Sequence, residues 1–108
     1  MAHTVQITIQ NSRTSALDRR TFALAHGDWV TQPHTTIDAN HSDTFRARPA
    51  GTVTEGSVTY RVVNSGAEFT VNFRTAPNGT SVHVTPADMA RVDGGDHAPL
   101  IATVQVLS

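Results

Sequence analysis

Glu55 is one of only two glutamates in the chain and lies beside a glycine in the segment GTVTEG (51–56). A carboxylate in such a place can act as a general acid or base, bind a ligand, or hold a turn. In the third use it accepts backbone N–H groups or pairs with an arginine such as Arg46 or Arg48. We predict that Glu55 clamps this connection, and direct contact with a ligand is the alternative.

Nucleophilic catalysis lacks a supporting arrangement of residues. His41, Ser42 and Asp43 are the residue types of a catalytic triad, but three consecutive residues cannot converge on one another. The chain has no cysteine, no G-x-S-x-G segment and no glycine-rich phosphate loop. The sequence therefore predicts a protein that is not an enzyme, with no catalytic residues and no cofactor.

The spacing of the histidines does not favour a metal site. None of the six has the i, i+4 spacing on a helix or the i, i+2 spacing on a strand that aims two imidazoles at one ion. His83 alternates with Val82 and Val84, which predicts a solvent-facing side chain. Two acidic loops, 38–43 and 92–97, carry oxygen ligands that suit calcium, on Asp38, Asn40, Asp43, Asp93 and Asp96. Neither has the order of a strong calcium loop, so we predict turns held by these side chains, with calcium as the alternative.

Charge and the N-terminal segment limit the partners. The net charge is −1 and the eight basic residues, all arginine, are scattered, whereas nucleic-acid binding needs a basic stripe. We predict no nucleic-acid partner. The segment MAHTVQITIQN (1–11) lacks the pattern of a signal peptide, and no window approaches the roughly 20 apolar residues of a transmembrane helix. We expect synthesis in the cytoplasm, with any release by lysis or another non-standard route.

Alternating apolar and polar residues dominate the chain. The clearest segment, EFTVNFR (68–74), places Phe69, Val71 and Phe73 on one face, and a turn at 64–66 precedes it. Such patterns, separated by turn residues, predict about seven strands, at 4–10, 21–25, 44–48, 57–62, 68–74, 80–85 and 99–108. We predict one all-β domain over residues 1–108, a single antiparallel β-sandwich.

One segment near the C-terminal third favours a short helix. In TPADMARVDGG (85–95), Thr85 is the expected N-cap and Pro86 the first helical residue, and the two glycines end the helix. We predict at most one helix here, of no more than two turns.

Trp29 differs from the other aromatic residues in its setting. The phenylalanines and Tyr60 lie in phase with apolar strand faces, whereas Trp29 follows Gly27 and Asp28 in the turn-rich run HGDWVTQPHTTID (26–38). An indole in such a place can cap the end of the core or contact a lipid headgroup layer. Both interpretations stay open at the level of sequence.

The segment 23–62 resembles the aegerolysin family, in particular its short bacterial members, which are related to parasporal crystal proteins. The matching features are Leu24, His26-Gly27, Trp29, Pro33, Ile37, Ser42, Phe45, Thr54-Glu55-Gly56, Val58 and Tyr60. The opening strand followed by Asn11 and a final strand near the C-terminus are also similar to that family.

The resemblance implies a single β-sandwich that binds membrane lipid peripherally and has no enzymatic activity. It also implies that the protein is released and acts at a target membrane as a haemolysin or toxin component, together with a larger pore-forming partner. Accumulation as a crystal protein is a further role that the resemblance implies. By this resemblance Trp29, Asp28 and His34 lie near the lipid-facing end. Glu55, for which ligand contact is the alternative to the clamp, is the fourth candidate ligand-binding residue.

The alternative is an interaction protein without a membrane role. A sandwich whose edge strands pair between copies would self-assemble into homo-oligomers or crystals. A carbohydrate-binding module ranks last, because its aromatic platform would have Trp29 as its one candidate.

Overall fold

Two five-stranded β-sheets pack face to face in the computed structural model, which describes residues 4–95 and 100–106. The described strands are β1 (Val5–Asn11), β2 (Leu17–His26), β3 (Asp28–Thr31), β4 (Thr36–Ile37), β5 (Ser42–Arg48), β6 (Thr54–Val62), β7 (Glu68–Ala76), β8 (Gly79–Thr85), β9 (Ala90–Gly94) and β10 (Leu100–Val106). The first sheet has the order β3-β5-β1-β10-β9 and the second the order β4-β2-β6-β7-β8. The predicted all-β sandwich is confirmed, with ten strands in place of about seven.

Two of the additional strands, β3 and β4, are too short to show alternation in the sequence. β3 has four residues and β4 two, and both lie in the turn-rich run after His26. Each extends an existing strand pair, since β3 pairs with β5 and β4 pairs with β2. Their partners, rather than their own sequences, make them strands.

The segment predicted as a helix is mostly a strand. Only Ala87–Met89 form a 3₁₀ turn, which follows Pro86 and has no side-chain cap, so the predicted cap at Thr85 is wrong. The next five residues form β9, which pairs antiparallel with β10. Ala90 and Val92 alternate toward the core, and their burial against β10 outweighs the local helix signal.

The core fills the space between the apolar faces of the two sheets. Its largest fully buried side chains are Tyr60, Phe45, Phe69 and Phe73. β7 alternates as its sequence predicts: Phe69, Val71 and Phe73 are buried, and the residues between them are exposed or half-buried. One hydrophobic cluster joins both sheets.

The centre of the first sheet contains a parallel strand pair, which is one departure from the predicted antiparallel arrangement. β1 and β10 run parallel along seven residue pairs, from Val5 opposite Leu100 to Asn11 opposite Val106. The other pairings between named strands are antiparallel. The first and last described strands therefore lie side by side in the middle of one sheet.

Gly27 forms the corner at which the chain passes from the second sheet to the first. His26, in β2, lies opposite Glu55 of β6, whereas Asp28, in β3, lies opposite Arg48 of β5. Gly27 has φ +117°, and a Cβ there would lie 2.6 Å from the carbonyl oxygen of Arg48. Only glycine fits this corner, which brings Asp28, Trp29 and Glu55 to the same end of the sandwich.

Candidate functional site

The outer face of the second sheet carries polar side chains in register across its strands. Inward positions of β6 and β7 hold the core residues, so the alternate positions point away from the core. Two adjacent rows cross β6, β7 and β8, one made of Ser57, Asn72 and His83 and the other of Glu55, Arg74 and Ser81. His83 is exposed, as its strand pattern predicts.

These two rows line an open groove with a volume of about 510 Å³. Its other lining residues include short ones, Ala23 and Ala25 on β2 and Gly56 on β6. A Cβ at Gly56 would lie 2.5 Å from the carbonyl oxygen of Ala23 and 2.6 Å from Cδ2 of Leu24. Glycine at this position therefore permits the close approach of β2 to β6.

Glu55 and Arg74 form an ion pair within the groove. The distance from Oε2 of Glu55 to Nε of Arg74 is 3.6 Å, and the two side chains are 39% and 44% exposed. Pairing with an arginine is one of the roles predicted for Glu55, but the predicted partners are wrong. Arg46 donates to Gln6 and Arg48 pairs with Asp28, both on the first sheet.

The groove combines opposite charges with neutral hydrogen-bonding groups. A guanidinium binds oxyanions and a carboxylate binds cations, while Asn72, His83 and the two serines supply donors and acceptors between them. Because the ion pair is partly hydrated, opening it costs little, about 1 kcal/mol or less. The arrangement suits reversible binding of a small polar group that carries both charges.

Trp29 packs against the end of the core. Its ring centroid lies 5.7 Å from that of Phe22, 5.8 Å from that of Phe45 and 6.3 Å from that of Phe73. The side chain is half-buried. These contacts favour the core-capping interpretation of the indole over contact with lipid.

The fluorescence of Trp29 tests this interpretation. We expect the emission of the folded protein in water to lie to the blue of the denatured protein, since three phenylalanine rings shield the indole. Adding lipid vesicles should leave the emission maximum unchanged even under conditions where the protein sediments with them. A further blue shift on binding would contradict the core-capping role and would support lipid contact.

The remaining two candidate ligand-binding residues lie in different places. Asp28 is at the Gly27 corner, with Oδ2 3.9 Å from Nε of Arg48. His34 lies toward the opposite end of β5, where its Nδ1 and backbone N–H both contact the carboxylate of the buried Asp43. The structure therefore brings Asp28 to the end of the sandwich that holds Glu55, and it does not bring His34 there.

Tyr60 is a fully buried core residue whose hydroxyl is affected by the charge of Asp43. Its hydroxyl is buried without a hydrogen-bond partner among the described residues. Burial raises the pKa of this hydroxyl well above its usual range, the charge of Asp43 raises it further, and Arg19 acts in the opposite direction. The hydroxyl stays neutral under ordinary conditions and belongs to the core.

The first acidic loop is a hydrogen-bonded turn. The backbone N–H of His41 donates to the carbonyl oxygen of Asp38, and Asn40 adopts φ +61°. Asp43 points to His34 instead of joining Asp38. Within residues 4–95 and 100–106, no group of three or more His, Asp or Glu side chains is arranged to hold a metal ion. In the second loop, Asp93 lies in β9 and Asp96 falls outside the described residues.

Comparison with solved structures finds a similar fold in the crystal structure of the lipid binding protein Nakanori. The TM-score is 0.76 at 12% sequence identity, and the match covers 97% of this chain and 70% of the Nakanori chain. The chain therefore shares the fold of that protein. No family model matches the chain, and no curated protein matches it. At this level of identity the likeness shows the fold alone.

Among the residues of the groove, the sequence pointed to Glu55 as a candidate and did not point to the other polar ones. Arg74, Asn72 and Ser57 are individually ordinary strand residues, and the register of β6 with β7 places them together. The available signal was the set of polar residues that alternate with the core residues on neighbouring strands.

No helix among the described residues has the length and apolar character of a membrane-spanning segment.

Proposed function

We propose that this protein binds membrane lipid at the bilayer surface and that the groove on the second sheet receives the lipid headgroup. The observation that carries the proposal is the Glu55–Arg74 pair, 3.6 Å apart in an open groove with hydrogen-bonding side chains around it. The fold shared with the lipid binding protein Nakanori and the resemblance to aegerolysins support a lipid as the ligand.

A zwitterionic headgroup matches the charges of the groove. Its phosphate would pair with the guanidinium of Arg74, and its amine would pair with the carboxylate of Glu55. The headgroup thereby replaces one partly hydrated ion pair with two charge-assisted contacts. An anionic headgroup without an amine would leave Glu55 facing negative charge, so we expect zwitterionic lipids to bind better than anionic ones.

The lining of the groove favours a primary amine over a quaternary one. Quaternary ammonium groups are recognised by aromatic cages, and the one aromatic residue of the lining, Phe73, is buried in the core with 2% exposure. Glu55, Asn72 and the serines present oxygen acceptors, which a primary ammonium can use as a donor and a quaternary ammonium cannot. We therefore propose phosphoethanolamine headgroups as the preferred class and phosphocholine headgroups as the weaker one.

Vesicle co-sedimentation tests the site with paired variants. Glu55→Gln and Arg74→Gln should each weaken retention on phosphoethanolamine vesicles by about 10- to 100-fold, the range for losing one hydrogen bond to a charged group. Glu68→Gln is a matched control, because Glu68 forms a similar exposed pair with Arg20 at 3.8 Å on the second sheet, away from the groove. It should leave retention unchanged.

One outcome of this experiment would contradict the groove as the binding site, and a different one would contradict lipid binding itself. Equal retention of all three variants would contradict the groove as the site. No retention of the unmodified protein on phosphoethanolamine, phosphocholine, sterol-containing or anionic vesicles would contradict lipid binding altogether.

The proposal includes a non-enzymatic role at a target membrane after synthesis in the cytoplasm and release. The family resemblance supports a haemolysin or toxin component that recognises the membrane for a pore-forming partner. Under this proposal the protein alone should bind vesicles without releasing an entrapped dye. Dye release by the protein alone would show that it needs no such partner.

Self-assembly is the second candidate function. Ile101 supports it, since this side chain is 59% exposed on β10, a central strand of the first sheet. Sedimentation velocity distinguishes the two, because a lipid-binding protein should stay monomeric at rising concentration until lipid is added. Concentration-dependent oligomers without lipid would favour assembly.

A further inference from the structure

We propose that Asn78 is a site of spontaneous deamidation, which places a new negative charge beside Arg74. Asn78 lies in the two-residue turn between β7 and β8, is exposed, and is followed by Gly79. Its Oδ1 lies 3.5 Å from Nη1 of Arg74. The turn thus places the Asn78-Gly79 dipeptide next to the guanidinium of Arg74 in the groove.

The reaction needs only water. The backbone nitrogen of Gly79 loses its proton to a solvent base and attacks Cγ of Asn78. The new C–N bond closes a five-membered succinimide, the Cγ–Nδ2 bond breaks, and the departing –NH2 takes a proton from water and leaves as ammonia. Water then adds to either ring carbonyl and opens one C–N bond. The products are an aspartate with the normal backbone or an isoaspartate with the backbone running through the side chain.

Gly79 removes the usual steric barrier to ring closure. A side chain on the residue after asparagine crowds the attacking nitrogen, and glycine has none. A Cβ built at Gly79 would have no other heavy atom within 4 Å, so the surroundings are open as well. The turn is also exposed, which gives water and base access to the ring.

The other asparagines of the chain provide internal comparisons. Asn11, Asn40, Asn64 and Asn72 are followed by serine, histidine, serine and phenylalanine, so Asn78 alone precedes a glycine. Asn11 is buried, and both the NH₂ and the C=O of its side-chain amide form hydrogen bonds with backbone groups. Asn64 is exposed in a turn, as Asn78 is, and differs in the residue that follows.

Arg74 is placed to assist the first step. When Gly79 N attacks Cγ, negative charge develops on Oδ1 of Asn78, the atom that faces the guanidinium. A cation at this position stabilises the developing oxyanion. Because the contact is long and exposed, the assistance should be modest, about two- to fivefold in rate.

The product changes the electrostatics of the groove. Deamidation makes the net charge of −1 one unit more negative and sets a second carboxylate beside Arg74, in competition with Glu55 and with any bound phosphate. This consequence rests on the proposed function of the groove, whereas the deamidation itself does not. We expect the aged protein to bind phosphoethanolamine vesicles more weakly than fresh protein.

Incubation of the folded protein, followed by digestion and mass spectrometry of the peptides, tests the deamidation. After incubation at mildly alkaline pH, replacement of the amide by a carboxyl at Asn78 should outpace the same change at Asn64, and part of the product should be isoaspartate. Arg74→Gln should slow the change at Asn78 by about two- to fivefold and leave Asn64 unaffected. Deamidation of Asn64 at the same rate as Asn78 would overturn the proposal, and equal rates with and without Arg74 would overturn the assistance.

Two variants, one with a carboxyl and one with an amide at position 78, test the consequence for lipid binding. Asn78→Asp should reduce retention on phosphoethanolamine vesicles severalfold, whereas Asn78→Gln, which keeps the amide and retards ring closure, should match fresh protein. If the unmodified protein binds and Asn78→Asp binds equally well, the consequence is wrong and the groove stands. If no form binds, the proposed function fails, and the mass spectrometry still decides the deamidation.

Discussion

Asn11→Asp should destabilise the protein by about 3 to 5 kcal/mol at neutral pH, the cost of an uncompensated buried charge. Asn11 is buried with 2% exposure, and its Nδ2 donates to the carbonyl oxygens of Ser15, Ile37 and Asp38 at 2.9, 3.2 and 3.1 Å. Its Oδ1 accepts from the backbone N–H of Arg13 at 3.1 Å. The substitution keeps the shape and replaces the donor with a charged acceptor that faces three carbonyl oxygens.

The destabilisation by Asn11→Asp should depend on pH. Burial and the facing carbonyls raise the pKa of the introduced carboxyl in the folded state above its unfolded value of about 3.9. The folded state then binds more protons than the unfolded state between these two values, so stability falls as pH rises through that window. The difference from the unmodified protein should be largest at neutral pH and smaller near pH 4, where the protonated carboxyl can donate one hydrogen bond.

Urea denaturation at the two pH values measures this effect. Asn64→Asp is the control, since Asn64 is exposed and a charge there stays hydrated; it should change stability by about 0.5 kcal/mol or less. A similar loss of stability in both variants would contradict the role given to the buried Asn11 side chain and its hydrogen bonds. A loss independent of pH would show that the introduced carboxyl has the same pKa in the folded and unfolded states, so that its surroundings in the folded protein do not disfavour its charge.

Phe73→Ala should cost about 3 to 5 kcal/mol, because it empties a large volume that the surrounding strands cannot fill. Phe73 is 2% exposed, and its ring lies 5.7 Å from that of Phe45 and 6.3 Å from that of Trp29. It supports both the junction of the sheets and the indole at the end of the core. The midpoint of denaturation should fall, with the slope against denaturant unchanged.

Asn72→Ala is the matched control for Phe73→Ala. Asn72 is the adjacent residue on the same strand and is exposed on the opposite face, so its loss should change the free energy of unfolding by about 0.5 kcal/mol or less. Equal midpoints for the two variants would place the wrong face of β7 in the core.

The sequence predicts the strands that carry their own pattern. β7 alternates from Glu68 to Thr75, and the turn before it is also as predicted, with Gly66 at φ +74° donating its N–H to the carbonyl oxygen of Val62. β3, β4 and β9 were missed because pairing with a neighbour makes them strands. The cap signal at Thr85 is local, and it gave way to burial of Ala90 against β10.

The groove is less predictable than the core, because the groove depends on register. Glu55 attracts notice as a scarce residue beside a glycine, but its ion pair with Arg74 follows from the pairing of β6 with β7. Arg46 and Arg48 are closer in sequence and lie on the other sheet. Sequence distance misled here because the chain changes sheets between β5 and β6, whereas β6 and β7 stay in the same sheet.

The side-by-side placement of β1 and β10 has a consequence for biosynthesis. Ile7 lies opposite Ala102, so the middle of the first sheet joins the two ends of the described chain and gives the protein a high contact order. A nascent chain exposes the unpaired edge of β1 until residues 100–106 have left the ribosome. The first sheet therefore closes only after residues 100–106 have been synthesised, and shielding of that edge in the interval favours a soluble yield over aggregation.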